Sequence, residues 1–160
     1  MDYNYITWDE YFMAVAQIVK SRSKDPSTKV GACIVRNNRI ISTGYNGFPT
    51  GCNDDKYPWG KNNSDETKNK YFYVTHAELN AIINAKQSVE DATIYTTLFP
   101  CNECTKAIIQ SGIKTVIYYS VDLSTQNKID KNKAIMDMFN DAKVEVYKYM
   151  PGNKKIEIEV

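Results

Sequence analysis

The side chains able to do chemistry together lie in two short runs, Thr75-His-Ala-Glu78 and Pro100-Cys-Asn-Glu-Cys104. His76 is the only histidine in 160 residues, and Cys101 and Cys104 are two of four cysteines. One imidazole and two thiolates suit a catalytic zinc ion, one Zn²⁺ per subunit, with the fourth tetrahedral position left to water. Zinc lowers the pKa of such a water to about 7, so a hydroxide-like nucleophile exists at neutral pH. Glu78, two residues after the histidine, need not touch the metal. A carboxylate so placed can take a proton from the water and pass protons to a substrate and its leaving group.

Each run has a plainer meaning alone. A lone histidine is usually structural or surface. Thr75-x-x-Glu78 fits a helix capping box, and Cys-x-x-Cys fits half a zinc knuckle or a redox pair. A closed structural site needs four protein ligands, however, and the chain has no second Cys-x-x-Cys and no other histidine. Taken together, the runs favour the open, hydrolytic site.

Such a site requires elements that aim both runs at one ion. Positions two apart do not share a helix face, so His76 and Glu78 meet one metal only if their helix points its first turn at it, with Thr75 as expected N-cap. Cys101 and Cys104 share a face, Pro100 suits a helix start, and the positive helix N-terminus favours thiolates there. Two converging helix starts are therefore predicted.

The rest of the chain reads as scaffold. Thr7-Trp-Asp-Glu10 offers a capping box for an amphipathic helix to about residue 22. The 23–29 linker, broken by Pro26, carries Arg22, Ser23, Lys24 and Lys29, which either hold one phosphate or are simply solvated. A strand over 30–35, a turn at Asn37-Asn38 and an antiparallel strand over 39–45 follow. Gly44 to Gly51 is a glycine-rich loop that permits close backbone approach to a ligand or is a plain turn. It opens a long loop, to about residue 74, of a length that is functional or disordered. Beyond the His76 helix, which fades near Lys86, strands are expected over 92–97, 115–119 and 144–149. Helices are expected from Cys101 to Ser111-Gly112 and over 131–140. Alternating Ile156, Ile158 and Val160 suggest a further edge strand. Alternating strands and helices predict one three-layer α/β/α domain over 1–160.

Composition narrows the function. A net charge of +1 argues for a small substrate rather than nucleic acid. No basic segment followed by an apolar run opens the chain, and no stretch approaches a membrane span, so a soluble, cytoplasmic protein without a membrane partner is expected. Four cysteines, two of them committed to zinc, fit a reducing compartment. Cys33 reads as buried; Cys52 is ambiguous.

The H-x-E then P-C-x-x-C order is the general signature of zinc deaminases. Tyr11-Phe-Met-Ala-Val-Ala16, Arg22-Ser-Lys-Asp-Pro26, Val30-Gly-Ala-Cys-Ile-Val35, Gly44-Tyr-Asn-Gly47, His76-Ala-Glu-Leu-Asn-Ala-Ile82 and Leu98-Phe-Pro-Cys-Asn-Glu-Cys104 resemble the deoxycytidylate (dCMP) deaminases. The resemblance covers about 8 to 119; the segments before His76 make it specific to that branch. It implies the cytidine deaminase-like fold with a five-stranded mixed sheet. It also implies hydrolysis of dCMP to dUMP and ammonia for thymidylate synthesis, with zinc on His76, Cys101 and Cys104 and proton transfer by Glu78. Substrate contacts are expected from Asn46, at the deoxyribose, and from Ala77, Phe99, Ser23 and Lys24. Phe99 either stacks on the base or packs. A homohexamer activated by dCTP and inhibited by dTTP is implied, with Gly44, Tyr45, Gly47 and Gly51 as effector candidates. Some relatives hold a second, structural zinc through an extra cysteine where this chain has Lys24 and Asp25, so one zinc is expected. Residues 120–130 fit the resemblance poorly. The alternatives are a related deaminase acting on a nucleoside, a free base or tRNA, and a catalytically inactive zinc-binding regulatory protein.

Overall fold

A capping box at Thr7 begins α1 (Trp8–Lys20): the Glu10 N–H donates to Thr7 Oγ1 at 3.2 Å and the Thr7 N–H donates to Glu10 Oε2 at 2.6 Å. The helix stops two residues before Arg22, because Ser21, Arg22 and Ser23 each donate to the carbonyl three residues back, which tightens the last turn. The computed structural model describes residues 4–160. The hairpin of β1 (Gly31–Arg36) and β2 (Arg39–Tyr45) follows, turned by Asn37 and Asn38 at φ 52° and 56°, the left-handed pair that matches strand twist.

With β3 (Thr93–Leu98), β4 (Thr115–Ser120) and β5 (Glu145–Lys148), the sheet order is β2-β1-β3-β4-β5. β1 is antiparallel to β2 and β3; β3, β4 and β5 are parallel. α3 (Asn102–Gln110) and α4 (Gln126–Asp141) make the two parallel crossovers, and α2 (Ala77–Asn84) lies before β3. α4 starts five residues earlier than expected, since Thr125 caps it by accepting from the Lys128 N–H at 3.3 Å. Its polar first turn carries no apolar periodicity that would reveal this.

Alternation along the strands divides the core in two. Phe12, Met13 and Ala16 of α1 pack on Cys33, Val35 and Tyr95 on one face. On the other face Ala77 and Ala81 of α2, Ile108 of α3, and Ile135 and Phe139 of α4 pack on Ala32, Ile34, Ile94 and Val116. The expected three-layer α/β/α arrangement with a mixed five-stranded sheet is the one observed.

The 156–160 edge strand does not form. Lys154 donates to the Tyr5 carbonyl at 2.5 Å, and Ile156 and Ile158, both still exposed, line a groove with residues of α1, Tyr119 and Tyr149, so the tail runs along that groove instead of adding to the sheet. The long loop is braced by an aromatic cluster of Phe48, Tyr57, Trp59 and Tyr73 and by two short 3₁₀ turns, Glu66–Lys68 and Lys70–Phe72. Among the described residues, no helix is long and apolar enough to cross a membrane.

Candidate active site

Two helix starts converge at the end of β3, though not through the expected caps. His76, rather than Thr75, is the N-cap of α2. Thr75 is instead held in a two-hydrogen-bond bridge, donating to the Gly47 carbonyl at 2.8 Å and accepting from the Gly47 N–H at 3.1 Å. No capping box forms, and the Glu78 side chain is buried. Cys101 is the N-cap of α3, with Pro100 one residue outside. Its Sγ accepts from the Cys104 N–H at 3.4 Å, and its carbonyl accepts from the N–H and Oγ1 of Thr105 at 2.9 and 2.8 Å. The Phe99 N–H donates to the Ser120 carbonyl at 2.7 Å, so the segment that delivers the cysteines is tied to the end of β4.

The result is a compact donor set. His76 Nδ1 lies 3.3 Å from Cys101 Sγ and 3.5 Å from Cys104 Sγ, and the three ligand atoms all lie within 4.8 Å of one another. Tetrahedral zinc, with bonds of about 2.0 Å to nitrogen and about 2.3 Å to sulfur, sets those atoms about 3.5 Å apart, so the trio fits the ion. Glu78 Oε2 is 3.5 Å from Cys104 Sγ.

The electrostatics agree with metal-ligand chemistry. The hydrogen bond from Cys104, then those from the His76 ring and the Cys104 N–H, bring the Cys101 thiol down to about 4 despite burial. Proximity to Cys101 and burial push Cys104 up, as expected of two sulfurs that share one negative charge until a cation joins them. The contact with Cys101 raises His76, and burial raises Glu78.

Against known proteins, the profile of the cytidine and deoxycytidylate deaminase zinc-binding region matches residues 6–120. The chain belongs to this family. It is 48% identical over 158 residues to human deoxycytidylate deaminase, across 98% of this chain and 87% of that protein. It is 45% identical to a probable deoxycytidylate deaminase of Drosophila melanogaster, across 97% of this chain and 78% of that protein. The crystal structure of dCMP deaminase from the cyanophage S-TIM5 in complex with dCMP and dUMP superposes with a TM-score of 0.69 at 28% identity. That match covers 91% of this chain and all of the phage chain.

A cavity of about 300 Å³ opens onto this zinc-binding site of the deaminase family, lined by His76, Glu78 and Cys101. Of the expected substrate contacts it includes Asn46, Ala77 and Phe99. Phe99 also packs edge-on to Tyr118, with ring centres 4.9 Å apart. The Asn46 amide donates to the Thr28 carbonyl at 2.9 Å and to Asp25 Oδ2 at 3.3 Å, and its Oδ1 accepts from the Val30 N–H at 2.8 Å. Both N–H groups are thus engaged within the protein, and only a second lone pair on Oδ1 is left for a sugar hydroxyl.

Ser23 and Lys24 are not in the cavity wall. The buried Ser23 hydroxyl donates to the Asn46 carbonyl at 2.8 Å, and the exposed Lys24 is ion-paired with Asp54. Gly44 serves packing rather than ligand approach: a Cβ there would fall 2.3 Å from the Ala77 carbonyl oxygen and 2.4 Å from the Ala81 nitrogen, because β2 and α2 touch at this point. Tyr45 and Gly47 make backbone contacts to Asn80 and Thr75, and Gly51 is exposed at φ 88°; none of these four lines the cavity.

Sequence reasoning missed the cavity's charged residues: Asp25, Lys61, Lys70, Asp122 and Lys128. Lys70 is buried, donating to Asp25 Oδ2 at 2.6 Å and to Ser27 Oγ at 2.7 Å. Burial disfavours the Asp25 carboxylate, but Lys70 and the N–H groups of Ser27 and Thr28 outweigh it and hold its pKa below the usual value. A lysine in a Lys/Asn-rich loop gives no sign of a partner 45 residues away.

Proposed function

We propose that this chain is a single-domain, zinc-dependent dCMP deaminase that hydrolyses dCMP to dUMP and ammonia. The observation that carries this reading is the His76, Cys101 and Cys104 trio at zinc spacing with an unligated, buried carboxylate, Glu78, beside it in the same cavity. The naming of the human relative and of the phage complex supports dCMP as the substrate.

When bound, zinc supplies the Lewis acidity that makes a water nucleophilic near neutral pH. Glu78 takes a proton from that water as its oxygen bonds to C4 of the cytosine and delivers a proton to N3. It then takes the proton of the new C4 hydroxyl and passes it to the exocyclic amine; the C4–N bond breaks as the C4 carbonyl forms, and ammonia leaves. Burial, which raises Glu78, favours the protonated form needed in the second half of the cycle. The Ala77 N–H, at the first position of α2 and so without an intrahelical partner, can bind the base carbonyl. Phe99 bounds the base, and Asn46 Oδ1 accepts from the deoxyribose hydroxyl.

The resemblance to the dCMP deaminases supports further parts of the reading: a cytoplasmic homohexamer that supplies dUMP for thymidylate synthesis, activated by dCTP and inhibited by dTTP. Sedimentation, with an activity titration by the two triphosphates, tests these. For the reaction itself, zinc-loaded protein is incubated with dCMP, deoxycytidine, cytidine and guanine while ammonia release is followed. Preferential dCMP turnover is expected; turnover of a nucleoside or base with dCMP left intact refutes the reading.

A further inference from the structure

Resting on the dCMP reading, we infer that Lys61 and Lys128 hold the substrate's 5′-phosphate at the mouth of the cavity, and that Lys70 positions Lys61 there. The reacting end of the pyrimidine must lie on the floor, at His76 and Glu78, so the phosphate faces the rim. A phosphate monoester brings roughly two negative charges at neutral pH, which need cations that are not already committed.

Three lysines line the cavity, and they differ in what already holds them. Lys70 is neutralised by Asp25 in a buried pair with both side chains under one-twentieth exposed, so its charge is spent inside the fold. Lys128, on the first turn of α4, pairs with Asp122, but here both side chains are about half exposed. Such a pair is held weakly and can exchange a carboxylate for a phosphate. Lys61 is exposed and makes no ion pair among the described residues. It comes from the long loop, on a different segment from Lys128, so the two cations can flank a tetrahedral anion. Lys24, the other cation expected here, is outside the cavity and engaged with Asp54.

Lys61 is placed through Lys70. The backbone N–H of Lys70 donates to the Gly60 carbonyl at 2.7 Å while its ammonium is anchored on Asp25, so residue 60 is pinned to the body of the protein. The far end of the loop is closed by Asn69, which accepts from the Asn63 N–H at 2.8 Å and donates to the Asn63 carbonyl at 2.7 Å. Lys61 thus projects from a braced strut.

The test uses zinc-loaded full-length protein, wild type and the variants Lys61→Met, Lys128→Met and the double variant. The readout is the ratio of kcat/KM for dCMP to kcat/KM for deoxycytidine, with dUMP and deoxyuridine binding measured by calorimetry. Losing one charged hydrogen bond is expected to lower the ratio about tenfold per lysine and about a hundredfold in the double variant. Arginine at either position is expected to restore most of the preference. A double variant whose ratio and dUMP affinity stay within about threefold of wild type overturns the assignment while leaving the dCMP reading intact. A wild type that does not favour dCMP over deoxycytidine overturns both.

Discussion

Replacing Lys70 with methionine leaves the Asp25 carboxylate 1% exposed and without its counter-charge. Breaking a buried pair from one side costs about 3–5 kcal/mol, because the remaining charge stays desolvated. Asp25 retains the Ser27 N–H at 2.8 Å, the Ser27 hydroxyl at 3.0 Å and the Thr28 N–H at 3.0 Å. These bonds put the expected loss near the lower end, about 3 kcal/mol, a large part of the roughly 5–15 kcal/mol typical of a whole domain. Urea unfolding at pH 7, with zinc and protein concentration fixed, measures it. Lys70→Met combined with Asp25→Asn should recover more than half, since no charge is left buried. The pH dependence gives an independent check. In the wild type the folded pKa of Asp25 is depressed, so its contribution is complete above the unfolded value of about 3.9 and is lost only below it. In Lys70→Met, burial, the largest influence on this group, is opposed only by the hydrogen bonds to Asp25 that remain, so its pKa rises above the wild-type value and the penalty fades as acidification protonates the group. The gap between the two proteins should therefore narrow from pH 7 to about pH 5. A loss under about 1 kcal/mol at pH 7, or a gap that does not narrow, refutes the account of a buried pair bracing the loop.

Glu78→Gln should retain stoichiometric zinc by elemental analysis while kcat falls about 10²- to 10⁴-fold, the usual size of a general acid–base contribution. Cys101→Ala should lose both zinc and activity; full zinc retention counts against its ligation. In zinc-stripped protein, iodoacetamide should label Cys101 before the buried Cys104. Because the hydrogen bond from Cys104 and the contact with His76 lower the Cys101 pKa, its rate should rise less steeply between pH 6 and 8 than an ordinary thiol's. Zinc should suppress the labelling. Gly44→Ala should destabilise by about 1–3 kcal/mol in thermal unfolding, since a Cβ would collide with the α2 backbone. A neutral result there would mean that β2 and α2 separate more readily than their packing indicates.

The grouping of His76, Glu78, Cys101 and Cys104 was legible because their chemistry is scarce. A chain with one histidine, a single Cys-x-x-Cys and a glutamate two residues after the histidine leaves few ways to assemble a hydrolytic centre, so composition constrained geometry before any fold was known. The hairpin was legible for a local reason: Asn37-Asn38 tolerates the left-handed backbone that the turn requires. The N-cap of α2 was misplaced because Thr75 has the right side chain for a cap, but its backbone is taken by Gly47, 28 residues earlier. That competition between a local preference and a distant bridge also helps aim His76, since the bridge fixes the backbone just before the ligand.

The residues proposed to read the phosphate were illegible for the opposite reason. Lysine is abundant in this chain, and nothing local separates Lys24, which is engaged with Asp54 outside the cavity, from Lys61 at its mouth or Lys70 in its wall. What separates them is the partner each finds in the folded chain: Asp25, 45 residues away, for Lys70, and Asp54, 30 residues away, for Lys24. A metal ligand must be one of a few residue types, so its identity shows in the sequence. A phosphate contact needs only a cation left uncommitted by its neighbours, and commitment is a property of the folded chain. Under the proposal, the zinc chemistry is tied to specific residues, whereas substrate selectivity would depend on which of several equivalent charges the folded chain leaves free. Substitutions in the 52–74 loop should accordingly change which substrate is preferred well before they change whether zinc is held.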